Sequence, residues 1–143
     1  MIGLGQEVGA PADLVAKLRE LCEGAGPVVW GESDCCKFTA TWIEIASGRK
    51  LALPSYASQD EAYEMIARAG GIAPLVSPIM AAAGFFEAYS PEFGDVGVVR
   101  LTNRDVAVIF CGNGVAVWRR DVGGCTYIMP RPRTIARAWR VLP

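Results

Sequence analysis

The 143-residue chain contains no histidine. That absence removes the side chain that most often serves as a general base near neutral pH, and it leaves no partner to complete a mixed Cys/His zinc site. Long apolar runs are missing as well. No stretch of eighteen or more apolar residues occurs, and the start, Met1-Ile2-Gly3-Leu4-Gly5-Gln6-Glu7, lacks the basic beginning and apolar stretch of a secretion signal. Neither a membrane span nor export by that route is expected. Charge is sparse, 20% of residues against 52% hydrophobic, which excludes a disordered or highly charged tail protein. A globular chain of one-domain size remains, able to bury about 68–70% of its unfolded surface.

The five cysteines, Cys22, Cys35, Cys36, Cys111 and Cys125, are odd in number and include no C-x-x-C pair. A disulfide scaffold or structural zinc is therefore not expected, and neither is a metal or cofactor. Most of these thiols read as small apolar groups in a reducing compartment. The net charge of −1 conceals an asymmetry. Residues 1–118 hold eight basic and fourteen acidic side chains, net −6, whereas residues 119–143 hold six arginines against Asp121 alone, net +5. We read this basic end as a solvated edge that pairs with the acidic front. Arginines spread over strands without interleaved aromatics are a weak nucleic-acid signal, so nucleic acid is not an expected partner.

Helical patterns come first and strand patterns afterwards, which predicts an α+β fold. Residues 1–10 are glycine-rich and read as a loose arm, with the whole of 1–143 forming one domain. Pro11 opens a helix with Leu14, Val15, Leu18, Leu21 and Cys22 on one face. A second helix follows Asp34, with Phe38, Trp42 and Ile45 at helical spacing, and runs to about Ser47 before Gly48. Ser58 and Glu61 have the spacing of a capping box for a third helix whose apolar face is Ala62, Met65, Ile66 and Ala69. Residues 74–83 read as a short or broken helix limited by Pro78. After Gly84 the pattern predicts a β-meander: strands over 95–101, 106–112, 115–118, 125–129 and 134–142. Asn113-Gly114 marks a tight hairpin, and alternating Ile135, Arg137, Trp139 and Val141 predict one buried and one wet face.

The stretch with chemical character is Trp30-Gly31-Glu32-Ser33-Asp34-Cys35-Cys36-Lys37-Phe38. Asp34 is a good N-cap residue, which places Cys35 in the first helical turn, where free N–H groups and the helix dipole favour a thiolate over a thiol. Asp95 reads as a turn residue bonding local backbone at a strand entrance. The tryptophans, Trp30 included, read as core or interface anchors.

An Asp-Cys at the start of a buried helix, then Gly94-Asp95-Val96 opening a strand, then Asp105-Val106-Ala107-Val108-Ile109-Phe110-Cys111-Gly112-Asn113-Gly114, resembles the NlpC-type papain-like cell-wall peptidases over about residues 28–118. The resemblance implies N-terminal helices packed on an antiparallel sheet, with Cys35 at the nucleophile and Asp105 where that family has its catalytic histidine. A carboxylate with a reference pKa near 4 is a poor proton acceptor and hostile to a neighbouring thiolate. Arg104 is a fixed cation able to stabilise a thiolate but not to shuttle a proton. Trp30, Asp34 and Arg104 are accordingly the candidate binding residues beside Cys35 and Asp105. Trp30-Gly31, Gly70-Gly71 and the closing Ala138-Trp139-Arg140-Val141 also resemble short phage and prophage tail-assembly proteins. The resemblance thus implies a catalytically silent structural part of a phage-type tail tip or hub, located in the virion tail after synthesis in the host cytoplasm, with other tail proteins as partners. The alternatives are an active cysteine hydrolase of peptidoglycan stem peptides, with its base supplied otherwise, and a binding module for the same peptides.

Overall fold

The computed structural model describes residues 10–143; most of the expected N-terminal arm, residues 1–9, lies outside the described residues. Four helices, α1 (Ala12–Glu23), α2 (Cys35–Ser47), α3 (Gln59–Ala69) and α4 (Ile72–Ala82), precede five strands. These are β1 (Val96–Arg100), β2 (Asp105–Gly112), β3 (Val115–Arg119), β4 (Cys125–Ile128) and β5 (Ile135–Trp139), the last preceded by a 3-10 turn at Pro132–Thr134. The fold is α+β, with the helices packed on an antiparallel sheet.

The helix limits follow from local chemistry. Asp34 caps α2, and Gly48 ends it in the left-handed conformation, φ 75°. The inner stripe of α2 runs through Cys35, Phe38, Thr39, Trp42 and Ile43. Ile45 falls outside that stripe and is exposed, because positions 42, 43 and 46 already fill the apolar face. Ser58 Oγ accepts from the Glu61 N–H at 3.2 Å, while the Glu61 carboxylate takes the Ala57 N–H at 2.7 Å, one residue before the cap. Gly70-Gly71 then turns the chain, so that α4 leaves α3 at 82°. Where residues 74–83 read as a short or broken helix, α4 is short but continuous through Pro78. Pro74 stands in the first turn, where a missing N–H costs nothing, so only Pro78 removes a helical hydrogen bond.

The strand order is β4-β3-β2-β1-β5, every neighbouring pair antiparallel. Only β1 to β4 form the predicted meander; β5 crosses to the far edge and pairs with β1. These pairings make β4 and β5 point the same way across four strand spacings, about 19 Å. The seven Cα steps between Ile128 and Ile135 reach at most about 25 Å, part of them coiled in the 3-10 turn. A flat sheet leaves no slack for that crossing, and the strands curl around a second core of Ala88, Val99, Val106, Val108, Phe110, Ala116 and Ala138. The helices cover the opposite face, where Leu18, Phe38, Trp42, Ile109, Val117 and Trp139 pack. With both faces covered, β2 is buried from Val106 to Gly112, which explains its unbroken apolar run.

The predicted alternation of the last strand is overturned for the same reason. Ala138 and Trp139 are both buried, one in each core, with a register shift opposite Val98 and Val99. The arginines of this region do pair with the front of the chain, Arg137 with Glu87 and Arg140 with Glu92 and Asp95. Asp95, fully buried, accepts from the local Glu92 N–H, as a turn residue does, and also from Arg140 and the Val141 N–H.

Gly97 lies in the middle of β1, and a Cβ there would stand 2.8 Å from the Arg137 carbonyl and 2.9 Å from the Phe110 ring. Gly97→Ala is therefore expected to destabilise the chain by about 1–3 kcal/mol, through forced separation of β1 from β5. Urea unfolding checks this; an unchanged midpoint would show that β5 is not tightly docked.

Candidate functional site

The loop before α2 is built around one carboxylate. Asp34, 1% exposed, accepts from Gly31 N–H (2.9 Å), Cys36 N–H (3.2 Å), Lys37 N–H (3.3 Å) and the Tyr56 hydroxyl (2.7 Å). Gly31 has φ 86°, and a Cβ on it would stand 2.0 Å from the Tyr56 carbonyl oxygen, so only glycine lets the loop approach the 56–57 segment this closely. Burial and the neighbouring Asp34 push the Tyr56 phenol far above its ordinary range, which keeps it a donor to the cap.

The cap fixes Cys35 at the first position of α2 with its thiol against β2. β2 and β3 pair only as far as Ile109 and Val117, and the backbone N–H of Ala107, two residues earlier on β2, hydrogen-bonds the Cys35 sulfur. The Cys36 thiol is the neighbouring side chain that bears most on the same sulfur. These contacts act in a definite order: the Cys36 hydrogen bond lowers the Cys35 pKa, burial opposes it, Ala107 lowers it, Asp34 opposes, and Arg104 lowers it. The net direction is down. Cys36 moves the opposite way, pushed well up by its bond to Cys35 and by burial.

Asp105 is the first residue of β2, opposite Arg100 of β1, and both side chains lie on the helix-facing side of the sheet. Arg100 Nε stands 2.6 Å from Asp105 Oδ1, a close ion pair rather than an aligned hydrogen bond. Arg104 reaches Asp121 at 3.0 Å and lies over the Trp118 ring at 6.0 Å. Trp30 meets Tyr63 edge-on at 5.8 Å.

A cleft of about 500 Å³ joins these groups. All five residues singled out from the sequence, Trp30, Asp34, Cys35, Arg104 and Asp105, line it, although they come from two segments some seventy residues apart. One end is polar; the walls are aliphatic, including Leu53, Met65, Ile66, Ile72, Leu75 and Val76. Tyr56, Arg100, Cys36 and the Ala107 N–H were missed in the sequence. A vicinal Cys-Cys hinted at the thiol pair, and opposing charges flanking a four-residue turn hinted at Arg100 and Asp105, but the other two depend on tertiary contact. Chemically the site can hold a thiolate. Among the described residues that line it, no side chain both accepts the thiol proton and returns it near neutral pH.

Asp34→Ala should cost about 2–4 kcal/mol, since it strands buried donors of three segments, and Asp34→Asn about half as much. Chemical denaturation of both variants checks the order; equal, small losses would mean that the cap does not hold the site together.

No curated protein matches the chain. A family model described as a domain of unknown function, DUF6950, matches residues 12–141, from the first residue of α1 to beyond the end of β5. By that match the chain belongs to the DUF6950 family.

Proposed function

We propose that this protein is a papain-like domain of NlpC type that lacks its general base and serves as a structural or assembly component of a phage-type tail, in the tip or hub region. The observation that carries the non-catalytic half of this reading is Asp105. It stands at the head of β2 on the wall that faces Cys35, where the resemblance expects histidine, and it is ion-paired to Arg100. A carboxylate so paired neither takes a proton from a thiol nor delivers one to a leaving amine. The order of parts supports the papain-like reading: a cysteine at the mouth of a buried helix, that helix packed on β2 of an antiparallel sheet. The tail role is supported by the resemblance of Trp30-Gly31, Gly70-Gly71 and Ala138-Trp139-Arg140-Val141 to tail-assembly proteins. The aliphatic cleft walls fit apolar side chains of a protein partner better than the amides and carboxylates of a stem peptide.

One observation favours a second reading, an active cysteine hydrolase: the Cys35 pKa lies below the ordinary thiol value. Alkylation by iodoacetamide across about pH 5 to 9, followed cysteine by cysteine, separates thiolate formation from catalysis. Cys35 is expected to alkylate with an inflection below that of a free thiol, while release of wall peptide fragments stays at background. Fragment release that disappears in Cys35→Ala would replace the structural reading with the enzymatic one. Asp105→His tests the assignment of position 105 itself. Exchanging a carboxylate for an imidazolium on the wall of the same cleft should raise the thiolate fraction of Cys35 below its pKa about tenfold. An unchanged alkylation rate would remove Asp105 from that position.

The tail role has its own test. The protein should co-purify with tail particles, and Cys35→Ala should assemble as the unaltered chain does. A chain that stays free of every other tail protein would overturn the assignment.

A further inference from the structure

A second group of thiols lies away from the cleft. Cys22 in the last turn of α1, Cys125 at the first position of β4 and Cys111 near the end of β2 converge on one edge of the main core. The Cys125 thiol donates to the Cys22 carbonyl oxygen at 4.0 Å, which brings together two cysteines 103 residues apart in sequence. The backbone holds them there: Gly124 N–H donates to the Ala25 carbonyl at 2.9 Å, and Val28 N–H donates to the Asp121 carbonyl at 3.3 Å. Gly123 lies against the same turn, where a Cβ on it would be in ordinary contact with Gly26 at 3.4 Å. Cys22 and Cys125 are half-buried and reachable, whereas Cys111 is 1% exposed. The described residues include no cluster of three ligands disposed to hold a metal ion.

We propose that Cys125 and Cys22 form a thiol–disulfide exchange site that takes low-molecular-weight disulfides and closes to an intramolecular disulfide joining α1 to β4. The two thiols are unequal in a way that assigns their roles. Cys125 is lowered, first by its hydrogen bond from Cys22, against burial and with help from Arg119 and Arg120; Cys22 is raised by the same bond and by its own burial. Cys125 is thus the attacking sulfur and Cys22 the resolving one.

With glutathione disulfide as the oxidant, the Cys125 thiolate displaces one glutathione thiolate and forms a mixed disulfide. Cys22 then gives up its proton and displaces the second glutathione. Two electrons pass to the glutathione disulfide, and the two thiol protons end on two molecules of glutathione. The product ties the end of α1 to the sheet edge and closes a loop of more than one hundred residues, a cross-link that removes much freedom from the unfolded chain. This inference does not rest on the tail or peptidase reading, since none of its residues lines the Cys35 cleft.

The test treats the full native chain with glutathione disulfide at neutral pH, quenches with acid, and maps peptides without reduction. The expected product is lighter by two hydrogens and carries a single linkage, Cys22 to Cys125, with Cys111 unmodified. Its Tm should rise by roughly 5–15 °C and return to the starting value with dithiothreitol. Cys22→Ala should stop at a stable glutathione adduct on Cys125, and Cys125→Ala should give neither adduct nor linkage. Any one of three results in the native chain overturns the proposal: an unmodified Cys125, an adduct on Cys125 that never resolves, or a linkage through Cys111. The native map decides the matter even if a variant fails to fold.

Discussion

The Asp34 carboxylate is the contact on which the site depends. A buried anion is costly unless its lone pairs are filled, and here four donors fill them, from Gly31, Cys36, Lys37 and Tyr56. Those donors belong to the loop before α2, the first turn of α2 and the segment before α3, so one side chain sets the relative placement of all three. The positive end of α2 further offsets its charge. Because Cys35 follows directly, the position of the thiol is a consequence of the cap. The cap also opposes the thiolate electrostatically, so the same residue that aims the sulfur works against its ionisation.

Why the thiolate direction wins is a matter of hydrogen bonds rather than of net charge. The largest stabilising contact is neutral, the Cys36 thiol, and the backbone N–H of Ala107 adds a second. A donor directed at the sulfur acts at short range in a poorly solvated place, where water cannot substitute for it. Arg104 contributes less, since Asp121 shares its charge. The Cys35 pKa is thus lowered with no imidazole present. Persistence of a thiolate is only part of hydrolysis, however, because the departing amine needs a proton that neither Arg104 nor the backbone can give up.

The legible parts of the sequence were the local ones. The Asp34 cap, the serine cap of α3, the left-handed Gly48 and the Asn113-Gly114 hairpin, where Gly112, Asn113 and Gly114 all take positive φ, each depend on residues a few positions apart. The docking of β5 on β1 was not legible, because strand order depends on how a crossover closes over a curled sheet. The last strand misled for a related reason: alternation reports one wet face only when one face is wet, and here both carry a core. In the site, Asp105 and Cys35 line one cleft, while Arg100, the partner of Asp105, emerges only from the β1–β2 register. The Cys22–Cys125 contact, 103 residues apart, has no local signal at all.

On the proposed reading, the position of Asp105 also explains how such a site can lose its base without losing its shape. Asp105 is at the very start of β2, half-buried, and its side chain contacts Arg100 rather than the core. The parts that hold the cleft together lie elsewhere, in the Asp34 cap, in Trp42 with its indole N–H on the Gly94 carbonyl, and in the buried run of β2. A substitution at the strand head therefore changes proton chemistry while leaving packing and capping intact. On that reading, the residues serving geometry and the position of the lost base are physically separate. One exchange at the half-buried head of β2 removes the base on that reading, whereas exchange of Asp34 or Gly31 would dismantle the loop and the cleft together.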